Sequence, residues 1–417
     1  MTPEIKQRIE QIRRGEVPER YVKTALGLAP ANWKRYTFGD IYTERKEPGD
    51  ENLPLLMVSI HSGVSDGEVD AAELPKQVKR IEDKSQYKKA VSGDLVFNMM
   101  RAWQGAIGTV RTTGMVSPAY IVAEPNDKAY PLFMDYYSRT PQMINQIDRQ
   151  SYGVTDFRKR LYWDSFAPIG CILPPIEEQQ KIATILTTQD KVIELKEKRL
   201  AEKQRQKKYF MQQLLTGKKR LPGFSGEWKK TKLKNILYER KTYSPKGLEY
   251  PHVTLSAEGI FPKSERYDRD HLVRDEDKEY KITHKGDICY NPANLKFGAI
   301  CENTFGDAIF SPIYVTFEVE ENICKEYIAN YLMRWDFINA VRKYEEGTVY
   351  ERMAVKPEDF LKFEIFLPQI EEQAAIAEVL STADREIELL QQDIEQEKQK
   401  KKALMQLLLT GIVRVKI

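Results

Sequence analysis

Leu173-Pro174-Pro175-Ile176-Glu177-Glu178-Gln179 returns 194 residues later as Leu367-Pro368-Gln369-Ile370-Glu371-Glu372-Gln373. Carried on without a gap to Leu214-Leu215-Thr216-Gly217 and Leu408-Leu409-Thr410-Gly411, the two copies agree at 22 of 45 positions. Chance does not give that, and an internal repeat decides architecture before any local reading. Each copy is punctuated as a helix. Pro174 and Pro368 stand just before the start, paired glutamates fill the first turn where negative charge suits the helix dipole, and Gly217 and Gly411 stop the helix. Leu186, Ile193 and Leu200 are seven apart, as are Leu380, Ile387 and Ile394. That heptad seam predicts that the two helices pair with each other as a coiled coil. The alternative is two unrelated amphipathic helices, each packed on its own domain. Copies related by an internal two-fold would run antiparallel and hold the intervening domains at opposite ends.

Outward from the repeat, the intervening regions correspond only at landmarks. Trp33-Lys34 matches Trp228-Lys229, and Ile41 with Glu44-Arg45-Lys46 matches Ile236 with Glu239-Arg240-Lys241. Gly93-Asp94 and Asn98 match Gly286-Asp287 and Asn291; Ser117-Pro118 with Tyr120 matches Ser311-Pro312 with Tyr314; Gly153 and Arg158 match Gly347 and Arg352. Short β-type runs such as Asp94–Phe97, Ala119–Val122 and Tyr314–Phe317 alternate with helical stretches at Leu132–Ser138 and Glu326–Lys343. The expected class is α+β: two α/β domains alternating with two long helices that pair as an antiparallel coiled coil, in a pseudo-two-fold repeat. The expected boundaries are an N-terminal element at 1–32, a first domain at 33–170, a first helical region at 171–217, a second domain at 218–366 and a second helical region at 367–417. Ile5, Ile9 and Ile12 give residues 1–32 a thin apolar stripe that predicts one short helix.

A chain of 417 residues exceeds the usual single-core limit, and its 41% hydrophobic and 30% charged residues make a soluble globular balance. No apolar run approaches the roughly 20 residues of a membrane span, and the N-terminus lacks the apolar stretch of a secretory signal. The four cysteines form no CxxC pair and read as reduced, cytoplasmic thiols. The net charge of +3 neither requires nor excludes a nucleic-acid partner, so local distribution decides.

Catalytic constellations are absent from the pattern. Asp40 with Glu44-Arg45-Lys46 imitates a metal-dependent nuclease, but the second copy has Asn235 in place of Asp40 and the spacing is too tight. Surface salt bridging or phosphate contact suits those residues better. Asn291-Pro292-Ala293-Asn294 lacks the second proline and the aromatic of a DNA adenine methyltransferase motif, and Gly217-Lys218-Lys219 is no phosphate loop. His61, His252, His271 and His284 occupy no matching positions. No catalytic residue, metal ligand or cofactor site is expected in this chain.

DNA contact is expected where cations, aromatics and amides cluster at matching loops. Arg101, Trp103 and Gln104 face Asn294 and Lys296 in the alignment, each just before a Gly-Ala-Ile. Tyr152, Thr155, Arg158, Lys159 and Arg160 correspond to Thr348, Tyr350 and Arg352. Arg and Gln can read base edges in the major groove, and Lys mainly anchors phosphate. Arg45, Lys46, Arg240 and Lys241 join the candidates, against the alternative of solvated loop charge for any one of them. A further run, Lys196 to Lys208, holds seven cations against two glutamates. It is either a solvated helix face or a cover for the phosphates of a DNA spacer.

The Leu-Pro-x-x-Glu-Glu-Gln opening, the long helix ending in leucines and Thr-Gly, and its recurrence after each of two variable domains resemble the specificity subunit (HsdS) of type I restriction-modification systems. The resemblance covers roughly residues 20–417. It implies a non-catalytic DNA-recognition subunit in which each target recognition domain reads one half of a split sequence. It further implies that the coiled coil sets the unread spacer and docks two methyltransferase subunits, to which two restriction (translocase) subunits add. S-adenosylmethionine, ATP and Mg then belong to partner subunits. A helix of about 41 residues spans roughly 60 Å, of which about 40 Å is heptad-patterned, compatible with half-sites one DNA turn, about 34–36 Å, apart.

Overall fold

The computed structural model describes residues 3–50, 52–65, 86–153, 158–245, 250–263, 279–345 and 354–415. The chain divides into two compact units, Met1–Lys196 with Asp393–Ile417, and Glu197–Gln392. The division cuts across both long helices, so each unit owns the start of one helix and the end of the other.

The centre of the first unit is a four-stranded antiparallel sheet in the order Tyr42–Glu44, Tyr120–Pro125, Leu95–Asn98, Ile107–Thr109. Leu95-Val96-Phe97 is an unbroken apolar run because both faces of this sheet are covered. Leu95, Phe97, Ile121 and Ala123 turn toward a core that includes Phe38, Phe133 and Phe166, while Val96 and Val122 turn toward a smaller core with Leu56 and Val116. Burying one such side chain contributes about 1.5–3 kcal/mol. Strand Lys34–Thr37 pairs with Gly170–Leu173, so the domain's first and last strands lie side by side directly before the long helix. Ile182, Ala183 and Leu186 of that helix join the main core, together with Leu408 and Leu409 from the end of the other.

The second unit repeats this plan. Its sheet runs Leu237–Glu239, Val315–Val319, Ile288–Tyr290, Ile300–Glu302, and Lys229–Lys232 pairs with Glu364–Leu367 before the second long helix. Ile376, Ala377, Leu380, Leu214 and Leu215 enter its core.

The long helices are Ile176–Leu214 and Ile370–Leu409. Within the first unit Gln189 and Lys196 bond Glu397 at 2.6 and 2.9 Å, and Lys196 also bonds Asp393 at 2.8 Å. Within the second, Lys203 meets Glu386 at 2.6 Å and Lys207 meets Asp384. Numbers fall on one helix as they rise on the other, so the pairing is antiparallel. All six heptad residues are buried or part-buried: Leu186, Ile193, Leu380 and Ile394 fully, Leu200 and Ile387 partly.

Two local expectations are corrected. The N-terminal element is a helix, Pro3–Arg13, followed by a hairpin of Tyr21–Thr24 with Gly27–Pro30, not a helix alone. Gly27 lies at φ +111°, which favours glycine at the end of that turn. The expected helix Glu326–Lys343 is broken into Lys325–Leu332 and Trp335–Val341. Arg334 sits at the break in extended conformation (φ −69°, ψ 136°) and donates to the carbonyl of Leu215 at 3.0 Å.

Candidate nucleic-acid interface

The repeated motif resolves into contacts. Gln179 donates to the carbonyls of Pro174 and Lys128, both at 2.9 Å, and accepts from the Tyr130 amide at 2.8 Å. Gln373 donates to Pro368 at 2.9 Å and accepts from the Cys324 amide at 3.1 Å. The glutamate before it closes a clasp. Glu178, fully buried, takes both Arg414 donors at 2.7 Å and the Trp33 indole N–H at 3.3 Å. Glu372 takes both Arg220 donors at 2.5 and 2.6 Å and the Trp228 indole at 3.2 Å. Each arginine also lies over its tryptophan ring, 5.9 and 5.6 Å from the centroid. Arg220 and Arg414 each stand three residues after the glycine that closes a repeat. Running the repeat alignment three residues further would have found them.

Arg45 and Arg240, expected at DNA, are held by carboxylates. Arg45 grips Asp94 through two donors at 2.8 and 3.2 Å and also meets Glu47 and Glu124 at 2.5 and 3.2 Å. Arg240 grips Asp287 at 2.9 and 3.0 Å and meets Glu318 at 3.5 Å. Burial raises the Asp94 carboxyl above its ordinary range, opposed by Arg45 and the Val91 amide. The contact raises Arg45 in turn. The two parallel donors of Arg45 on Asp94 have the geometry of a bidentate ion pair. The matching landmarks at Arg45 and Gly93-Asp94 are therefore one structural device present in both domains. Lys46 and Lys241 are exposed, each near the glutamate two residues before it, at 3.1 and 3.5 Å. Asp40, the nuclease-like residue, is a helix cap: it exchanges hydrogen bonds with Thr37 in a capping box.

The loop candidates of the first domain do come together. Ala102–Gln104 is a single 3-10 turn closed by Gly105 at φ +105°. Tyr152 and Arg160 bond each other's backbones at 3.1 and 2.9 Å, and the Leu161 amide reaches the Met99 carbonyl at 2.8 Å. The strands of this loop approach so closely that a Cβ on Gly153 would lie 2.3 Å from the Arg158 carbonyl oxygen, which only glycine avoids. Lys159 is held by Asp148 at 2.9 Å and lies 5.6 Å from the centre of the Trp103 ring, whose N–H bonds the Met100 carbonyl. Around this pair Arg101, Gln104, Tyr152, Arg158 and Arg160 are exposed.

The second domain repeats the 3-10 turn of this corner. Leu295–Phe297 is a 3-10 turn closed by Gly298 at φ +82°, preceded by exposed Asn294. Lys296 lies 5.3 Å from the Phe297 ring centre. Phe297 and Trp335 are 63% and 58% exposed, and Trp335 packs near Gly298. Trp335 was not singled out by sequence; a tryptophan opening a helix right after a break is the available signal. Thr155, Thr348, Tyr350 and Arg352 lie outside the described residues.

A model of the type I restriction modification DNA specificity domain matches residues 72–204 and 226–399, well over half the chain. The chain belongs to this family. The type I restriction enzyme MjaVIII specificity subunit of Methanocaldococcus jannaschii is 24% identical over 364 residues, 80% of this chain and 83% of that one. A chain of the same organism, provisionally named the type I restriction enzyme MjaX specificity subunit, is 24% identical over 95% of this chain and 97% of its own length. Among solved structures, the type I restriction-modification system S subunit from M. genitalium aligns with TM-score 0.54 and 10% identity, covering 90% of this chain and 96% of that one. A chain from a structure on complex assembly and conformational transition of the type I R-M system aligns with TM-score 0.54 and 16% identity, covering 92% and 99%. This chain is thus a specificity subunit of the type I restriction family, with two target recognition domains. Among the described residues no helix is long and apolar enough to cross a membrane, and no His/Cys/Asp/Glu group is placed to hold a metal.

Proposed function

We propose that each target recognition domain reads one half of a bipartite duplex DNA sequence through its 3-10 turn and the neighbouring loop. In the first domain Arg101 and Gln104 are the base-reading candidates, and Arg158, Arg160 and Lys46 the phosphate contacts; in the second, Asn294, Lys296 and Lys241 take these parts. Trp103 and Lys159 position the first corner. The observation that carries this reading is that a 3-10 turn bearing a cation and an aromatic recurs at the same place in both folds with different side chains. Shared placement with divergent chemistry suits two readers of two different half-sites.

The paired helices set the spacer and dock two methyltransferase subunits, to which two restriction subunits add. The chain itself carries no catalysis; S-adenosylmethionine, ATP and Mg serve the partner subunits. Retention of a random duplex by the purified chain, alone and with its methyltransferase, tests DNA binding. The logarithm of affinity should fall linearly with the logarithm of salt concentration; affinity independent of salt would make the chain a protein adaptor instead. The spacer role has its own test. Four residues inserted after Leu200 add about 6 Å of rise and little rotation, and should lengthen the spacer by one or two base pairs with both half-sites unchanged.

A further inference from the structure

The two units fill one place differently. In the second, Arg334 stands at the N-cap of helix Trp335–Val341, donates to the Leu215 carbonyl at 3.0 Å and lies over the Tyr331 ring, 4.5 Å from its centroid. Only 9% of that side chain is exposed, so it plugs the gap between the short helices and the end of the long one. The repeat equivalents of Leu215 and Tyr331 are Leu409 and Tyr137, each 194 residues away. The equivalent of Arg334 is Thr140, at the N-cap of helix Pro141–Gln150. A threonine is too short to serve as the plug.

The first unit has a cavity of about 680 Å³ there instead, bordered by both Thr140 and Leu409. Trp33, Tyr137 and Ile172 line it, with Leu28 of the N-terminal hairpin, Met143 of helix Pro141–Gln150 and Met405 of the second long helix. Gln142 donates to the Leu26 carbonyl beside it and ties the hairpin to that helix. The polar part of the lining has one sign of charge. Lys398 and Lys402, one helical turn apart, are exposed at its border, whereas Lys401 is held by Asp190 at 2.5 Å. Among the described residues that line the cavity none is acidic. An unfilled apolar recess forgoes both burial and packing contacts. The second unit closes the same gap with one side chain, so the opening in the first is a property of its residues and not of the scaffold.

We propose that this cavity is a binding site for a small organic anion: a flat aromatic ring system among Trp33, Tyr137 and the thioethers of Met143 and Met405, with its acid group at Lys402. The volume lies within the range of small-molecule sites, about 300–1,000 Å³. Aromatic rings and methionine sulfurs favour a flat ring as their partner, and lysines without an acid among them select a negative charge. Trp33 joins the site to the clasp, because its indole N–H donates to the buried Glu178 at 3.3 Å. An occupant bound only by the folded chain therefore stabilises the first unit by mass action. Nothing in this reading depends on how the recognition domains meet DNA.

The test uses the full chain and anilinonaphthalene sulfonate, an aromatic anion that fluoresces when its rings leave water, beside its uncharged analogue phenylnaphthylamine. One sulfonate should bind per chain, at least about tenfold more tightly than the uncharged probe. Thr140→Arg installs the plug of the second unit, and Met405→Trp fills the cavity from the long helix. Each should weaken sulfonate binding at least about tenfold while circular dichroism matches the parent. Lys402→Gln should weaken the sulfonate and leave the uncharged probe unchanged. Saturating sulfonate should raise the melting temperature of the parent but not that of Thr140→Arg. Binding unchanged in both filling variants would overturn the proposal, as would several weak sites indifferent to Lys402→Gln. Release of the probe by the methyltransferase subunit would assign the cavity to a side chain of that partner and overturn it equally.

Discussion

At the root of each target recognition domain the two halves of the molecule are nearly superposable in chemistry: Glu178 with Arg414 and Trp33, Glu372 with Arg220 and Trp228. At the corner bearing the 3-10 turn they part company. The first domain exposes Arg101, Gln104, Tyr152 and Arg160; the second exposes Asn294, Phe297 and Trp335. The difference follows from what constrains each place. A buried carboxylate is costly without its cation, so the clasp admits few substitutions. An exposed loop on a fixed turn answers only to its ligand. Duplication therefore leaves the scaffold alike and the reading surfaces free to diverge.

The largest expected effect attacks the likeness. Arg414→Ala and Arg220→Ala each strand a buried glutamate; the first should destabilise its unit by about 3–5 kcal/mol and the second should destabilise its own unit in the same direction, both measured from denaturant midpoints. Comparable losses support equivalent clasps; a loss at one alone would make the other ornamental. Next comes Arg45→Ala. With Asp94 left buried and unpaired it should cost about 3 kcal/mol of stability while leaving the salt dependence of duplex binding unchanged. A flatter salt slope at parental stability would instead return Arg45 to the DNA.

At the corner the pattern should invert. Arg158→Ala or Arg160→Ala should change stability by no more than about 0.5 kcal/mol, weaken binding to all duplexes and flatten the salt slope by about one unit. A changed base preference with an unchanged slope would place that arginine in a groove. The smallest effect lies in the helix pairing of the first unit. Bonds from Lys196, Gln189 and Lys400 hold the Glu397 carboxyl down, at about 2 against an ordinary 4.5. A depressed folded value contributes stability above the ordinary value, and that contribution is lost as pH falls from 4.5 through about 2. Glu397→Gln should therefore remove part of the acid sensitivity of melting and leave the neutral-pH melting temperature slightly lower.

Much of this was legible in the residues. Heptads, prolines, paired glutamates and closing glycines are local signals, and the helices they predict run from Ile176 and Ile370 as expected. The β-type runs around Leu95, Tyr120 and Val315 are strands, since β-branched and aromatic residues flanked by turns carry that signal locally. What escaped depended on distance. Sequence leaves Arg45 between salt bridging and phosphate contact, and its actual partner, Asp94, is 49 positions away across a strand crossing. The hairpin at Tyr21–Pro30 has four-residue strands that fully bury only Tyr21, Ala29 and Pro30, too little for alternation to register. Trp335 was hidden because the helix break at Arg334 is fixed by a carbonyl at Leu215, far back in the chain.

The central claim is that each domain reads its own half-site independently on a shared scaffold. Replacing residues 33–170 with the corresponding domain of a relative, then mapping methylated adenines genome-wide in cells that also carry the methyltransferase, addresses it directly. One half of the recognised sequence should change, with the other half and the spacer retained. A change in both halves would contradict independent reading by the two domains.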